Sequence, residues 1–291
     1  MTLPTADTIV TYPSGATTAE ANVIHVEAVE LPEGSRLAVL LDRTACHPVD
    51  AGWPDQGPDR AVLDAGDVAI EVLDCVVGAS DGSSLFLGAD IPVRKGTEGW
   101  AFVVVHLVDG DAGLTEGDTV TVEVDADHRV ALSTGHSACH LASLALNAAL
   151  VGAWSKEPRL DSLGAPDFDG SANETSTILE RGARDTYRIG KSLRKAGFDG
   201  SALDDPAALA ASVNATLASW IATGGAISIE RDGELLTDRR YWVAELPGGT
   251  ARIACGGTHV SSLADLGSVT VTIETDQLEG AIGMTMVTRV G

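Results

Sequence analysis

Two short motifs, placed far apart in the chain, restrict how this sequence can fold. The first is the pair His136 and His140, in a run of mostly small residues without proline at 133–149. On a helix, this spacing puts both imidazoles on one face, one turn apart. The second is Cys255-Gly-Gly-Thr-His259, whose glycines indicate a tight turn. A fold that joins the two motifs makes a set of nitrogen and sulfur ligands that suits zinc.

Either motif alone is weak, because single histidines are more often satisfied by hydrogen bonds than by a metal. The whole chain, however, holds only four cysteines and seven histidines. Their concentration in two motifs favours one metal site with the ligands His136, His140, Cys255 and His259. Cys139 lies beside His140 but points to another helix face, since neighbouring residues are about 100° apart. We expect it to be a small buried residue and not a ligand.

These motifs resemble the zinc-site signature of the alanyl-tRNA synthetase editing domain and of its free-standing relatives, the AlaX proteins. The matching segments are G-H-S-A-C-H-L-A, which starts at Gly135, and C-G-G-T-H-V, which starts at Cys255. The editing domain of threonyl-tRNA synthetase is a more distant relation. The resemblance implies a bound Zn²⁺ and hydrolysis of the ester that joins an amino acid to the terminal ribose of a tRNA. Because no other synthetase parts are apparent, it implies an enzyme that acts in trans.

A loop rich in proline and glycine at 41–58 corresponds to the family motif T-x-F-Y-P-x-G-G-G-Q-P. The chain keeps Thr44, but it has His47 where the family often has tyrosine and Trp53 where it has glutamine. The resemblance implies that Thr44 lies near the amino-acid side chain and that His47 or Trp53 forms a pocket wall. Asp55 is a candidate general base. The alternative interpretation is an ordinary loop packed by Trp53.

The changed loop leaves the substrate open. It is compatible with Ser- or Gly-tRNA(Ala), and with a threonine analogue such as fluorothreonine on tRNA(Thr). Gly256 and Gly257 are predicted to let backbone N–H groups approach the ester oxygen. Two other functions remain: a zinc-dependent hydrolase of a small ester or amide without an RNA substrate, and a non-catalytic module stabilised by zinc.

The formal net charge of −23 argues against an extensive nucleic-acid-binding surface, and we expect no DNA partner. Residues 1–130 hold six basic and 23 acidic residues, whereas residues 131–291 hold 13 and 19. A local tRNA contact therefore belongs in the second half. The cations there concentrate at Arg181, Arg184, Arg188, Lys191, Arg194 and Lys195. All except Arg194 are predicted tRNA contacts, and four of them, from Arg184 to Lys195, follow helical spacing. The alternative is a solvated helix face.

The chain reads as an α+β protein. Residues 1–130 are predicted to form a small β-barrel, and residues 131–291 an editing domain whose helices pack on a mainly antiparallel sheet. The expected strands of the first half lie at 22–31, 36–41, 68–77, 101–107 and 119–124. Ser133 and Thr134 are expected to cap the helix that carries the histidines, and a second helix is expected at 206–221. The absence of an apolar run of membrane-spanning length and the scattered cysteines predict a cytoplasmic protein without a membrane partner.

Overall fold

The computed structural model describes residues 3–32, 34–66, 68–110 and 112–291. The chain divides into two compact units, and each unit is assembled from segments that are separate in sequence. Unit 1 comprises Met1–Arg129, Arg231–Arg240 and Gly256–Thr258, and unit 2 comprises Val130–Glu230, Tyr241–Cys255 and His259–Gly291. Among the helices of these described ranges, none combines the length and the apolar character needed to cross a bilayer.

Unit 1 is built of strands. They are β1 (Ile9–Val10), β2 (Thr18–Leu31), β3 (Gly34–Leu41), β4 (Arg43–Thr44), β5 (Ala61–Asp64), β6 (Ala69–Val72), β7 (Asp74–Ser80), β8 (Leu85–Leu87), β9 (Ala101–Val108) and β10 (Thr119–Val124). Eight of them form an antiparallel sheet in the order β6-β5-β10-β2-β3-β9-β7-β8, and β1 pairs in parallel with β4. Every residue of β9 is buried, because hydrophobic clusters cover both of its faces. Its continuous apolar run is typical of such a strand.

The segment Arg231–Arg240 completes the core of unit 1. Leu236 is buried among the core side chains, and its N–H donates to Thr8 O (2.9 Å). The N–H of Val10 donates to Glu234 O (2.8 Å). The core of unit 1 therefore includes residues that follow much of unit 2 in the sequence.

Unit 2 contains four helices and two sheets. The elements are α1 (Ala126–Ala149, whose first turn belongs to unit 1), α2 (Asp169–Ala172), β11 (Asn173–Leu179), β12 (Gly182–Ile189), α3 (Lys191–Lys195), α4 (Pro206–Ile221), β13 (Ile227–Arg231), β14 (Arg240–Leu246), β15 (Gly249–Ala254), β16 (Val269–Leu278) and β17 (Ala281–Val290). The sheets have the orders β11-β12-β17-β16 and β13-β14-β15. Leu141 of α1, Leu217 of α4 and Trp242 of β14 are fully buried in one core. The predicted α+β fold with mainly antiparallel sheets is confirmed, as is the helix at 206–221.

Helix α1 begins earlier than the sequence indicated. Asp125 Oδ1 accepts the N–H of His128 (3.0 Å), which is the contact of a capping residue, so the helix starts at Ala126. The prediction that Ser133 and Thr134 cap it was therefore wrong. Both lie inside the helix, where the Thr134 hydroxyl donates to Val130 O (2.7 Å), an alternative partner for such hydroxyls within helices.

A close approach fixes α1 on the hairpin of β11 and β12. A Cβ atom at Gly135 would lie 2.3 Å from Leu179 O and 2.4 Å from Gly182 O. The Arg181 N–H also donates to Ala131 O of the helix (2.8 Å). Only glycine fits at position 135, so the residue just before His136 sets how near the helix lies to the hairpin.

The basic stripe is not helical, and that prediction was wrong. Arg184 and Arg188 are both exposed on strand β12, whereas α3 begins only at Lys191. The alternation of buried Asp185 and Tyr187 with the exposed arginines has the period of a strand, not of a helix. A spacing of four fits both periods, which is why the cations alone were misleading.

Candidate metal centre

The four predicted ligands meet within unit 2. His136 and His140 lie one turn apart on α1, Cys255 follows the end of β15, and His259 lies four residues further on. Cys255 Sγ is 3.4 Å from His136 Nε2 and 3.2 Å from His259 Nε2. One ligand atom from each of the four residues lies within 4.8 Å of the other three. The arrangement can therefore hold a metal ion.

The distances fit zinc. With Zn–S near 2.3 Å and Zn–N near 2.0–2.1 Å, tetrahedral angles put sulfur and nitrogen about 3.6 Å apart. The two separations from Cys255 Sγ are only slightly shorter than that. His140 Nε2 is buried and, among the described residues, has no hydrogen-bond partner. Buried polar atoms without a partner are rare, and a metal ion would satisfy this one.

Two of the four residues, Cys255 and His259, have shifted pKa values that suit metal ligands. Burial alone would raise the pKa of the Cys255 thiol, but the charges of His136, His259 and His140 outweigh burial and hold that pKa well below its ordinary value. Burial, with help from the charge of His136, lowers the pKa of His259 to about 3. A low thiol pKa favours the thiolate of Cys255, and a low imidazole pKa favours the neutral ring of His259, and these are the forms in which the two residues bind zinc.

Neighbouring side chains orient the ligand rings. A hydrogen bond joins Ser137 Oγ and His259 Nδ1 (3.1 Å), and the same oxygen accepts the N–H of Val260 (3.2 Å). The ring of Trp242 packs against His140 with centroids 5.1 Å apart. Contacts of this kind fix ring orientation around metal sites. His136 and Cys255 are buried, whereas His140 and His259 are partly exposed.

Cys139 is buried and does not belong to the ligand group, as predicted. Its Sγ donates to Asp185 Oδ1 (3.5 Å), and the Ser176 hydroxyl donates to the same oxygen (2.5 Å). Burial raises the pKa of Asp185, although these hydrogen bonds oppose it. Sequence reasoning did not single out Asp185; the available signal was an acidic residue at an inward position of a strand.

The loop residues predicted to line the site divide between the inside and the surface of unit 1. Thr44 is fully buried, and its hydroxyl accepts the N–H of Cys46 (3.0 Å) and lies 2.9 Å from His106 Nε2. Trp53 is 61% exposed, and its indole N–H donates to Asp55 Oδ2 (3.0 Å). Thr44 is therefore a core residue of unit 1, whereas Trp53 and Asp55 lie at the surface of that unit.

His47 is held by a buried ion pair. The backbone N–H of His47 donates to Asp59 Oδ2 (2.5 Å), and the imidazole ring lies edge-on to Tyr12. Asp59 is bound by Arg129, whose Nε donates to Oδ1 (2.8 Å) and whose Nη2 donates to Oδ2. Arg129 also donates to Ala45 O (2.7 Å). Asp59 and Arg129 are both almost fully buried, and neither was singled out from the sequence.

The two glycines between Cys255 and His259 differ. Gly256 is exposed and has open space where a Cβ would lie, whereas Gly257 is buried. The next residue, Thr258, is bound twice by Gln56: Gln56 Nε2 donates to Thr258 Oγ1 (2.9 Å), and Gln56 Oε1 accepts the Thr258 N–H (3.0 Å). Gln56 is buried, and the sequence analysis did not single it out. A polar residue in a loop rich in proline and glycine carries no local signal of a partner such as Thr258, 202 residues away.

Comparisons with known proteins do not assign the chain to a family. No protein-family model matches the sequence, and no curated protein shows significant similarity to it. The functional argument therefore depends on the chemistry of the metal centre and on the exposed cations of unit 2.

Proposed function

We propose that this chain is a cytoplasmic, zinc-dependent hydrolase that cleaves the ester of an incorrectly charged or non-canonical aminoacyl-tRNA. The observation that carries the proposal is the convergence of His136, His140, Cys255 and His259, whose ligand atoms all lie within 4.8 Å of one another. The motif resemblance to AlaX proteins supplies the substrate class. None of the four cysteines, all of which lie in the described ranges, forms a disulfide, which is consistent with a reducing compartment.

The ligands differ in how readily they can yield a coordination position. Bound zinc would supply a Lewis acid for the ester carbonyl or for a water molecule. Four protein ligands close a tetrahedral site, so one of them has to give way to substrate. His136 and Cys255 are buried, and Ser137 holds His259. His140 is partly exposed, so we assign the exchangeable position to His140.

The exposed cations of unit 2 support an RNA substrate. Arg184 and Arg188 face the same side of β12, and Lys191 and Lys195 follow on α3. In the described ranges, none of these four forms an ion pair, so their charges are available to phosphates. Arg181 is also exposed, and its Nη2 donates to the carbonyl of Gly291 (3.3 Å). We propose that this surface binds the acceptor end of the tRNA.

The pairing of β6 and β7 supports the barrel that the resemblance implies for unit 1. Only Leu73 separates the two strands, and its N–H donates to Leu107 O of β9 (2.8 Å). β6 pairs with β5, and β7 pairs with β9. One bent strand thus connects strands from opposite ends of the sheet, and we propose that it rolls the sheet into a small barrel.

A zinc-dependent hydrolase of a small ester or amide is the second candidate. The net charge of −23 favours it, because long-range repulsion opposes the approach of any polyanion. The two candidates differ in whether the cations of β12 and α3 contribute to turnover.

The test is a deacylation assay with a panel of Ser-, Gly- and Ala-tRNA(Ala) and of threonyl- and fluorothreonyl-tRNA(Thr). We expect the zinc-loaded protein to release one amino acid selectively, and His136→Ala, which removes a buried ligand, to abolish release. Cys139→Ala is the matched control, because Cys139 is a buried neighbour that does not join the ligand group. No release from any substrate by folded, zinc-loaded protein would contradict the proposal and favour the small-molecule hydrolase.

A second comparison tests the RNA surface. Arg184→Glu/Arg188→Glu and Arg94→Glu/Arg239→Glu change the net charge equally, and all four arginines are exposed. We expect the first pair to raise KM for aminoacyl-tRNA and to reduce the salt dependence of binding by about 1 in log–log slope per lost phosphate contact. Equal effects of the two pairs would refute a specific contact at β12.

A further inference from the structure

A second group of metal-ligating side chains lies in unit 1, apart from the centre on α1. We propose that Cys46, Cys75 and His106 bind a thiophilic d¹⁰ cation, Zn²⁺ or Cu⁺. All three residues are completely inaccessible to solvent. One sulfur or nitrogen atom from each lies within 4.8 Å of the other two. Two thiolates and an imidazole are the ligands that such cations prefer.

The fold brings the three residues together from separate elements. Cys75 of β7 and His106 of β9 are directly paired across the two strands, so their side chains share one face of the sheet. Cys46 lies two residues beyond β4, and its Sγ lies within 4.8 Å of the ligand atoms of Cys75 and His106. No two of the three are neighbours in sequence, so no short motif marks the group.

The orientation of His106 is that of a metal ligand. Its Nδ1 lies 3.2 Å from Val39 O, and a carbonyl oxygen only accepts, so Nδ1 carries the proton. The lone pair of Nε2 is then directed to the side of the ring where Thr44 Oγ1 lies, 2.9 Å away. Ligating histidines are commonly held by such an N–H bond to a backbone carbonyl. The Thr44 hydroxyl is therefore the donor in its contact with Nε2, and a cation that bound Nε2 would replace this hydrogen bond and find Thr44 Oγ1 as a candidate fourth ligand.

The charge balance favours a cation. The group is surrounded by apolar core residues, including Leu41 and Val77. An isolated thiolate in such a place is costly, whereas two thiolates with Zn²⁺ have no net charge. Binding of Zn²⁺ to two thiols replaces two S–H bonds by two S–Zn bonds and releases two protons to solvent. With Cu⁺ the same complex keeps one negative charge.

Metal stoichiometry tests the inference. Metal-free, reduced protein is titrated with Zn²⁺, and in parallel with Cu⁺ under anaerobic conditions, and metal per chain is measured after desalting. We expect two ions in the unaltered chain, one in Cys46→Ala/Cys75→Ala, and one in His136→Ala/Cys255→Ala. Cys139→Ala, which removes a buried cysteine outside both groups, should keep two. Uptake of Cu⁺ but not Zn²⁺ by His136→Ala/Cys255→Ala would support the site and assign it to the monovalent ion.

An X-ray absorption measurement covers the case in which Cys46→Ala/Cys75→Ala fails to fold. In the metal-loaded His136→Ala/Cys255→Ala variant, which retains the second group, we expect two sulfur neighbours, at about 2.3 Å for zinc, and one imidazole nitrogen. Uptake of neither Zn²⁺ nor Cu⁺ by His136→Ala/Cys255→Ala, or a spectrum of nitrogen and oxygen neighbours only, would overturn the inference. A Cys46–Cys75 disulfide that persists under reducing conditions would overturn it as well. Failure here leaves aminoacyl-tRNA hydrolysis by the α1 centre untouched.

Discussion

The ion pair between Arg129 and Asp59 gives the most quantitative prediction for unit 1. Both side chains are almost fully buried, and two N–H groups of the guanidinium bind the two carboxylate oxygens. Arg129→Met removes the cation and leaves the carboxylate in the core with the N–H of His47 as a remaining donor. It also removes the hydrogen bond to Ala45 O. Removing one partner of a buried pair costs about 3–5 kcal/mol, and we expect this loss of unfolding free energy.

A double-mutant cycle separates the pair from the packing around it. Asp59→Asn should also destabilise strongly, but Arg129→Met/Asp59→Asn should cost less than the sum by about 1–3 kcal/mol, because no charge is then left unpaired. Lys95→Met is the matched control in the same unit, since Lys95 pairs with Asp50 at a partly exposed site. Its expected cost is below about 1 kcal/mol.

The assay is urea unfolding followed by far-UV circular dichroism, with midpoints and slopes fitted for each variant. A loss from Arg129→Met no larger than that from Lys95→Met would refute the reasoning. Strict additivity of the two single changes would do so too, because it would mean that the two charges do not depend on each other.

Three further predictions concern single residues whose contacts lie within one unit. Burial raises the pKa of Asp169 from 3.8 to about 7, so its contribution to stability is present below pH 4 and is lost as the pH rises through 7. Urea unfolding of the unaltered chain should therefore show a decrease of at most about 4 kcal/mol in unfolding free energy from this group between pH 4 and pH 8, and Asp169→Asn should not show that decrease. Gly135→Ala should destabilise by about 1–3 kcal/mol or more through its clash with the facing hairpin, whereas Gly152→Ala, with open space at its Cβ, should not, as thermal melts will show. Gln56→Ala should lower the free energy of unfolding by about 2 kcal/mol and speed hydrogen exchange at the Thr258 amide. Unchanged exchange would contradict the role of the two Gln56–Thr258 hydrogen bonds.

The metal ligands were predictable because local geometry carried the signal. A spacing of four on a helix fixes the relative position of His136 and His140, and the short separation along the chain keeps Cys255 close to His259. The same spacing of four misled at Arg184 and Arg188, where the surrounding side chains alternate as in a strand. The burial pattern of a whole segment is a better guide than its charged residues alone.

The remaining contacts had no local signal. Gln56 meets Thr258, and Asp59 meets Arg129, only because the strands of unit 1 bring distant segments together. A single polar residue in a loop looks the same whether it faces solvent or a buried partner. The start of α1 was missed for a related reason, since Asp125 and Ser133 are equally good caps and only one meets a free N–H group.

The discontinuous make-up of unit 1 sets the order in which the chain can finish folding during synthesis. Its core lacks Leu236 until the segment Arg231–Arg240 has left the ribosome. Roughly 110 residues, most of unit 2, emerge in between, which takes about 5–20 s at ordinary elongation rates. During that interval Thr8 O and the N–H of Val10 lack the backbone partners that Leu236 and Glu234 later provide. The N-terminal region therefore completes its core only after a distant stretch of the message has been translated.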